Sequence, residues 1–153
     1  MGTRATYNIK SQDGLDTFIY QHWDNYPTGA SLSFYKALNF NLGVDRYGQD
    51  VPYILAENFI RANEDARLTE SHEIHGDTEY RYDLNKNHLT AWRLSDYGTD
   101  WSNHGHTTSD DFEMFFSGDL DEFISQNDKL IREYDKEMHQ VIDPTPSEQY
   151  ATN

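Results

Sequence analysis

Eleven Tyr, eight Phe and three Trp stand among the 153 residues, yet mean hydropathy is only −0.90. Disordered chains are poor in aromatic residues, so a chain with this inventory folds, and its core must be built from rings rather than from aliphatic side chains. At 17.9 kDa there is material for one core of ordinary size. A single domain over residues 1–142 is expected. Pro144-Thr145-Pro146-Ser147 and the polar residues after it read as a mobile tail, 143–153.

The elements follow from periodicity. Thr6-Tyr7-Asn8-Ile9-Lys10 alternates as a strand does, Ser11-Gln12-Asp13-Gly14 supplies turn chemistry, and residues 16–23 are a β-branched and aromatic run. An opening hairpin results. Alternation puts Phe18, Tyr20 and His22 on one face of its second strand and Thr17, Ile19, Gln21 and Trp23 on the other, which makes that strand central. Pro27-Thr28-Gly29 ends it. Leu32, Tyr35, Leu38, Asn39 and Leu42 then recur at helical spacing up to Gly43. A second helix starts near Asp50, with Ile54, Leu55, Phe59 and Ile60 as its buried stripe, and the polar stretch 63–71 closes the pair. Residues 79–84 and 89–94 flank Asn85-Lys86-Asn87 as a second hairpin. Residues 111–117 give one more strand, with Phe112, Met114 and Phe116 on one face. From Asp119 a helix carries Leu120, Phe123, Ile124, Ile131, Tyr134, Met138 and Val141, its period interrupted at Asn127. It is expected to pack one face on the sheet. The order ββ-αα-βββ-α predicts an α+β fold, an antiparallel sheet of about five strands with three helices packed on it.

Charge narrows the classes of partner. The formal charge is −15, which repels phosphate and argues against direct binding of nucleic acid or an anionic membrane, and favours a basic partner. From Thr107 onward lie 12 of the 27 acids and 3 of the 12 bases. Asp121, Glu122, Asp128, Glu133, Asp135 and Glu137 would decorate the last helix as a partner-binding face. Tyr97 and Trp101, in the long polar loop 95–110, would serve as aromatic anchors.

Chemistry has fewer footholds. There is no Cys, which removes disulfides, thiolate zinc sites, iron–sulfur clusters and a thiol nucleophile. Walker A, Gly-x-Gly-x-x-Gly, Gly-x-Ser-x-Gly and His-Glu-x-x-His patterns are absent from the sequence, so no cofactor is expected. His22 and Asp24 would point the same way in an extended chain and form a general-base dyad. Against that, a strand-end His, a packed Trp23 and a turn-opening Asp24 explain the same residues. His104 and His106, with Asp100, Asp110 and Asp111 nearby, have the spacing of a metal site on an extended segment. His72 and His75, three apart on a strand, would face opposite ways. His88-Leu89-Thr90 and His106-Thr107-Thr108 resemble the paired His-x-Thr signature of two-histidine phosphoesterases, which makes His88 and His106 candidate acid–base residues. The 18-position spacing of those histidines is shorter than that family's two-lobed repeat uses.

Met1-Gly2-Thr3-Arg4-Ala5 followed by Tyr20-Gln21-His22-Trp23-Asp24-Asn25-Tyr26-Pro27 resembles a group of small phage and prophage proteins without an assigned activity, over roughly the first 35 to 40 residues. Asn25 stands where that group usually has Gly, so a left-handed residue is expected there. The resemblance implies a mobile element and the cytoplasm of its host cell. With small size and acidity it leads to the expectation of a protein that binds rather than catalyses, an inhibitor of a host defence or nucleic-acid-processing complex of the anti-CRISPR or anti-restriction class. The alternatives are a small-ligand or phosphodiester enzyme using a His/Asp-lined site, and a self-associating structural phage protein.

Overall fold

The computed structural model describes residues 3–11, 14–40, 51–95 and 112–142. In chain order they form β1 (Ala5–Lys10), β2 (Asp16–Gln21), α1 (Pro27–Leu38), α2 (Val51–Ala62), β3 (Arg67–Thr69), β4 (Tyr80–Asn85), β5 (His88–Leu94), β6 (Phe112–Asp119), α3 (Leu120–Gln126) and α4 (Lys129–Ile142). The class is α+β. The sheet is not the antiparallel five-stranded one expected, but a mixed sheet of six strands in the order β3-β2-β1-β4-β5-β6. β1 runs parallel to β4, from Ala5 opposite Tyr80 to Lys10 opposite Asn85, and every other neighbouring pair is antiparallel. The reason is topological. β2 takes one side of β1 and β3 extends the sheet beyond β2, and the returning chain passes β3 and pairs on the other side of β1, which makes β1 an interior strand.

The extra strand, β3, lies inside the stretch expected to be a polar connection. It is three residues long and mostly exposed at the sheet edge, so it has no apolar alternation to announce it. The expected last helix is two helices, parted at Asn127, whose side-chain amide donates to the Phe123 carbonyl at 2.9 Å. α3 meets the sheet, whereas α4 rests on α1, where the Tyr35 hydroxyl donates to both Asp135 oxygens. α1 also turns a different face inward from the one expected. Gly29, Ala30, Ser31, Ser33, Phe34 and Ala37 are buried, while Leu38 is 43% exposed. Small residues let the helix lie close on rings that supply the volume.

Those rings are the core. On the helix-covered face, Tyr7 stacks on Tyr82 with centroids 5.0 Å apart, and Phe59 and Phe34 pack on Tyr7 at 4.7 and 5.6 Å. Phe123 joins Tyr82 and Phe116 at 6.0 and 5.1 Å. Each such pair adds about 1 kcal/mol beyond the area it buries. Ile9, Ile19, Leu84, Leu89 and Leu120 fill the spaces between. A register shift between Ala91 and Trp92 puts Phe116 on this core face while Met114, opposite Trp92, lies on the other. The strand therefore does not keep Phe112, Met114 and Phe116 together as simple alternation predicted.

Candidate functional site

The helices leave the second sheet face to polar and aromatic side chains, and two clusters form there and at the strand ends. The first is the turn after β2. The strand ends at Gln21, and Asp65 accepts the backbone N–H groups of His22 and Trp23 at 2.6 and 2.9 Å. Asp24 then takes φ +60°, so the left-handed residue is Asp24 and not Asn25. Gly29 is required beneath it, because a Cβ there would stand 1.7 Å from the Asp24 carbonyl oxygen. Asn25 is fully buried. Its Oδ1 accepts from the Tyr7 hydroxyl (2.6 Å) and the Gln21 amide (2.8 Å), and its Nδ2 donates to the carbonyls of Thr3, Gln21 and Trp23. The Tyr82 hydroxyl donates to its carbonyl at 2.7 Å. Burial pushes the Tyr7 and Tyr82 phenols far up, so both stay protonated donors.

On this base the turn presents Trp23, 54% exposed, with the His22 ring against it at 4.7 Å. The dyad expected of His22 and Asp24 does not form. The Arg4 guanidinium donates to His22 Nε2 at 2.9 Å, which fixes that ring as a neutral acceptor with its proton on Nδ1. Asp24 accepts instead from the Tyr26 hydroxyl at 3.3 Å.

The second cluster is built on the segment 70–79, which crosses from β3 to β4 over the face opposite the helices and is not the strand expected around His72 and His75. Two histidines pin it. His72 Nε2 donates to Asp83 at 2.7 Å, Nδ1 is hydrogen-bonded to the Thr6 hydroxyl at 2.6 Å, and the ring meets Phe18 edge-on. His75 stacks on Tyr20 at 4.1 Å and hydrogen-bonds Thr69 at 2.6 Å. Burial holds the His75 imidazolium below its usual pKa, opposed by Asp77. Burial, then the Asp77 carboxylate that accepts from it at 3.1 Å, push the Tyr20 phenol up to about 12. Arg4 closes the group with an ion pair to Asp77 at 3.3 Å.

Beside this segment a cavity of about 240 Å³ is lined by His72, Glu73, Arg81, Asp83, Trp92 and Phe112. Arg81 stands directly across from Trp92 in the β4–β5 register. Its side chain is almost wholly buried, 3.8 Å from Glu73, and its guanidinium lies 4.1 Å over the Phe112 ring. Sequence reading missed this group, because its members come from four separate segments. The available signal was the pairing of a buried-strand Arg and Asp, Arg81 and Asp83, on one face of β4.

The other expected site residues are dispersed. His88 is exposed on β5 and hydrogen-bonds Ser117 at 2.8 Å. Asp121, Glu122, Glu133 and Glu137 are exposed, Asp128 pairs with Arg132, and Asp135 is half-buried against Tyr35. Tyr97, Asp100, Trp101, His104, His106, Asp110, Asp111 and the tail 143–153 lie outside the described residues. Among the described residues no group of three or more His, Asp and Glu side chains is placed to hold a metal ion. No helix among them is long and apolar enough to cross a membrane. Comparison with protein-family models, with curated proteins and with solved structures finds no match for this chain.

Proposed function

We propose that this chain works by binding: it docks on a basic, nucleic-acid-handling protein of a bacterial or archaeal host and blocks that surface, as an inhibitor of the anti-CRISPR or anti-restriction class does. The observation that carries the reading is Trp23, a large ring held out to solvent by a turn that is itself fastened from beneath through Asn25, Asp65 and Gly29. A pre-ordered exposed Trp is the side chain that most often anchors an interface, and it loses little entropy on docking. With Asp24 exposed beside it, the turn suits a Lys or Arg, which would sit on the indole face and meet the carboxylate. The charge of −15 steers such a partner from a distance. On α4 the acids Glu133, Asp135 and Glu137 are offset by Lys129, Arg132 and Lys136. The uncompensated charge thus weighs most on Asp119, Asp121 and Glu122 where β6 enters α3. The phage-like opening segment supports a host-cell setting.

The test is affinity capture from a bacterial lysate, washed at low and high salt, with bound proteins identified by mass spectrometry. The expected result is a basic nucleic-acid-processing protein held at low salt, released at high salt and displaced by its own nucleic acid. Trp23→Ala should weaken that capture about tenfold or more. Combined reversal of Asp121, Glu122, Glu133 and Glu137 to Lys should flatten its salt dependence. Retention of no such protein, or capture that neither variant changes, overturns the reading.

A further inference from the structure

The two edges of the sheet are built differently. β3 closes one edge with three residues and carries Arg67, the kind of short, basic strand that keeps an edge from recruiting another chain. β6 forms the other edge with eight residues, and none of them is Lys, Arg or Pro. None of the eight is buried. Two bonds fix which of its backbone groups face outward. Leu94 N–H donates to the Glu79 carbonyl and Leu120 N–H to the Asn87 carbonyl, and alternation along the antiparallel ladders then turns Leu89 and Ala91 toward β6. Their partners Gly118 and Phe116 are thereby bonded to β5, whereas the N–H groups of Ser117 and Asp119 point away from the sheet. Among the described residues nothing hydrogen-bonds those two donors.

We propose that this edge receives an extended, basic segment of a partner protein, which adds a further strand to the sheet beside Ser117 and Asp119. Charge selects the occupant. Asp119, Asp121 and Glu122 stand exposed at the end of the strand, whereas Glu113 at its start is already offset by Arg93 at 3.4 Å. The acids reach both faces. Asp119 shares the face away from the helices with His88, and Glu122 lies over Gly118 on the helix face, its Oε1 2.9 Å from where a Cβ would stand. A strand laid here meets a carboxylate on each side, so Lys or Arg on either of its faces is satisfied. A second copy of the chain is opposed, because antiparallel self-pairing sets Glu113 of each strand toward Asp119 of the other and joins two charges of −15. The register shift leaves Phe115 without a partner on β5, which bends the strand and confines pairing to the run that holds the acids. This edge lies across the sheet from β2 and the Trp23 turn, and the inference does not rest on the docking reading.

The test is titration of the full ¹⁵N-labelled chain with three terminally blocked peptides: alternating Lys and Val, alternating Glu and Val, and the Lys peptide with every peptide nitrogen methylated. The expected result with the Lys peptide is a saturable ¹H–¹⁵N shift and slowed amide exchange at Ser117 and Asp119, while Phe116 and Gly118, already bonded to β5, change little. The methylated form should bind about tenfold or more weakly, because the ladder bonds are lost. The Glu peptide should give no shift. Ser117→Pro removes an outward N–H and no bond to β5, and should weaken the Lys peptide similarly, while Trp23→Ala should leave its binding unchanged. The methylated peptide tests backbone pairing even if the proline variant fails to fold. No response at millimolar Lys peptide, equal binding of the methylated or Glu peptide, a response lost with Trp23→Ala, or protection of the same amides by self-association without peptide each overturns the proposal.

Discussion

Asn25 concentrates more structure than any other single side chain in the described residues, since its amide makes five hydrogen bonds in a fully buried setting. Asn25→Ala takes the acceptor from the Tyr7 hydroxyl and the side-chain donor from the Gln21 and Trp23 carbonyls, while the Gln21 amide keeps Ser33 and the Thr3 carbonyl keeps the residue-25 backbone N–H, and it should cost on the order of 3 kcal/mol. Tyr7→Phe removes one hydroxyl and keeps the ring stack, and should cost about 1 kcal/mol. Urea unfolding midpoints at constant slope measure the difference, and equal losses would show that Asn25 is not the hub. Little of this was legible beforehand. A strand continued to Trp23 would align His22 with Asp24, but the strand stops at Gln21 and Asp24 turns left-handed. Asn25 was singled out for the wrong conformation, because Tyr7 and Tyr82, the partners that define its role, lie 18 and 57 residues away in sequence.

Among the elements, the segment 70–79 depends most on conditions. The His75 pKa is lowered in the folded protein by burial, so the unfolded chain binds the extra proton first. The stability His75 confers is therefore full above its usual 6.5 and is lost as pH falls from there through the lowered value. Amide exchange at Ile74 and Gly76 should quicken across that window relative to amides in β1, and His75→Gln should remove the difference. An unchanged ratio would place the pH sensitivity elsewhere. Elements with strong periodicity were readable: the second hairpin matches its expected turn, with Lys86 at φ +60°. The break at Asn127 coincides with the gap in the apolar period. β3 and the displaced face of β6 were not readable, since a short exposed edge and a one-residue register shift leave the composition unaltered. The cavity was hidden for the same reason, being a product of strand order.

At the scale of the whole molecule, self-repulsion works against the compact state. A charge of −15 on 153 residues, with Asp119, Asp121 and Glu122 adjacent, should make added salt stabilising, because screening shortens the reach of repulsion to about 10 Å at 0.1 M. Raising NaCl from 10 mM to 0.5 M should lift the melting temperature by roughly 2–4 °C, the equivalent of about 1 kcal/mol. A flat or falling midpoint would mean that the ion pairs, such as Arg4 with Asp77 and Arg93 with Glu113, outweigh the repulsion. The aromatic core was predictable from composition, while the parallel contact between β1 and β4 was not, because pairing order is a property of the path. That contact has a consequence for how the protein is made. As the ribosome releases the chain, β1, β2 and β3 emerge together and can zip up, but the far side of β1 has no strand to meet it until Tyr80–Asn85 has been synthesised. For that interval the nascent chain carries an open edge along the strand that is most buried in the finished fold, and its survival depends on translation supplying the second half before another chain does.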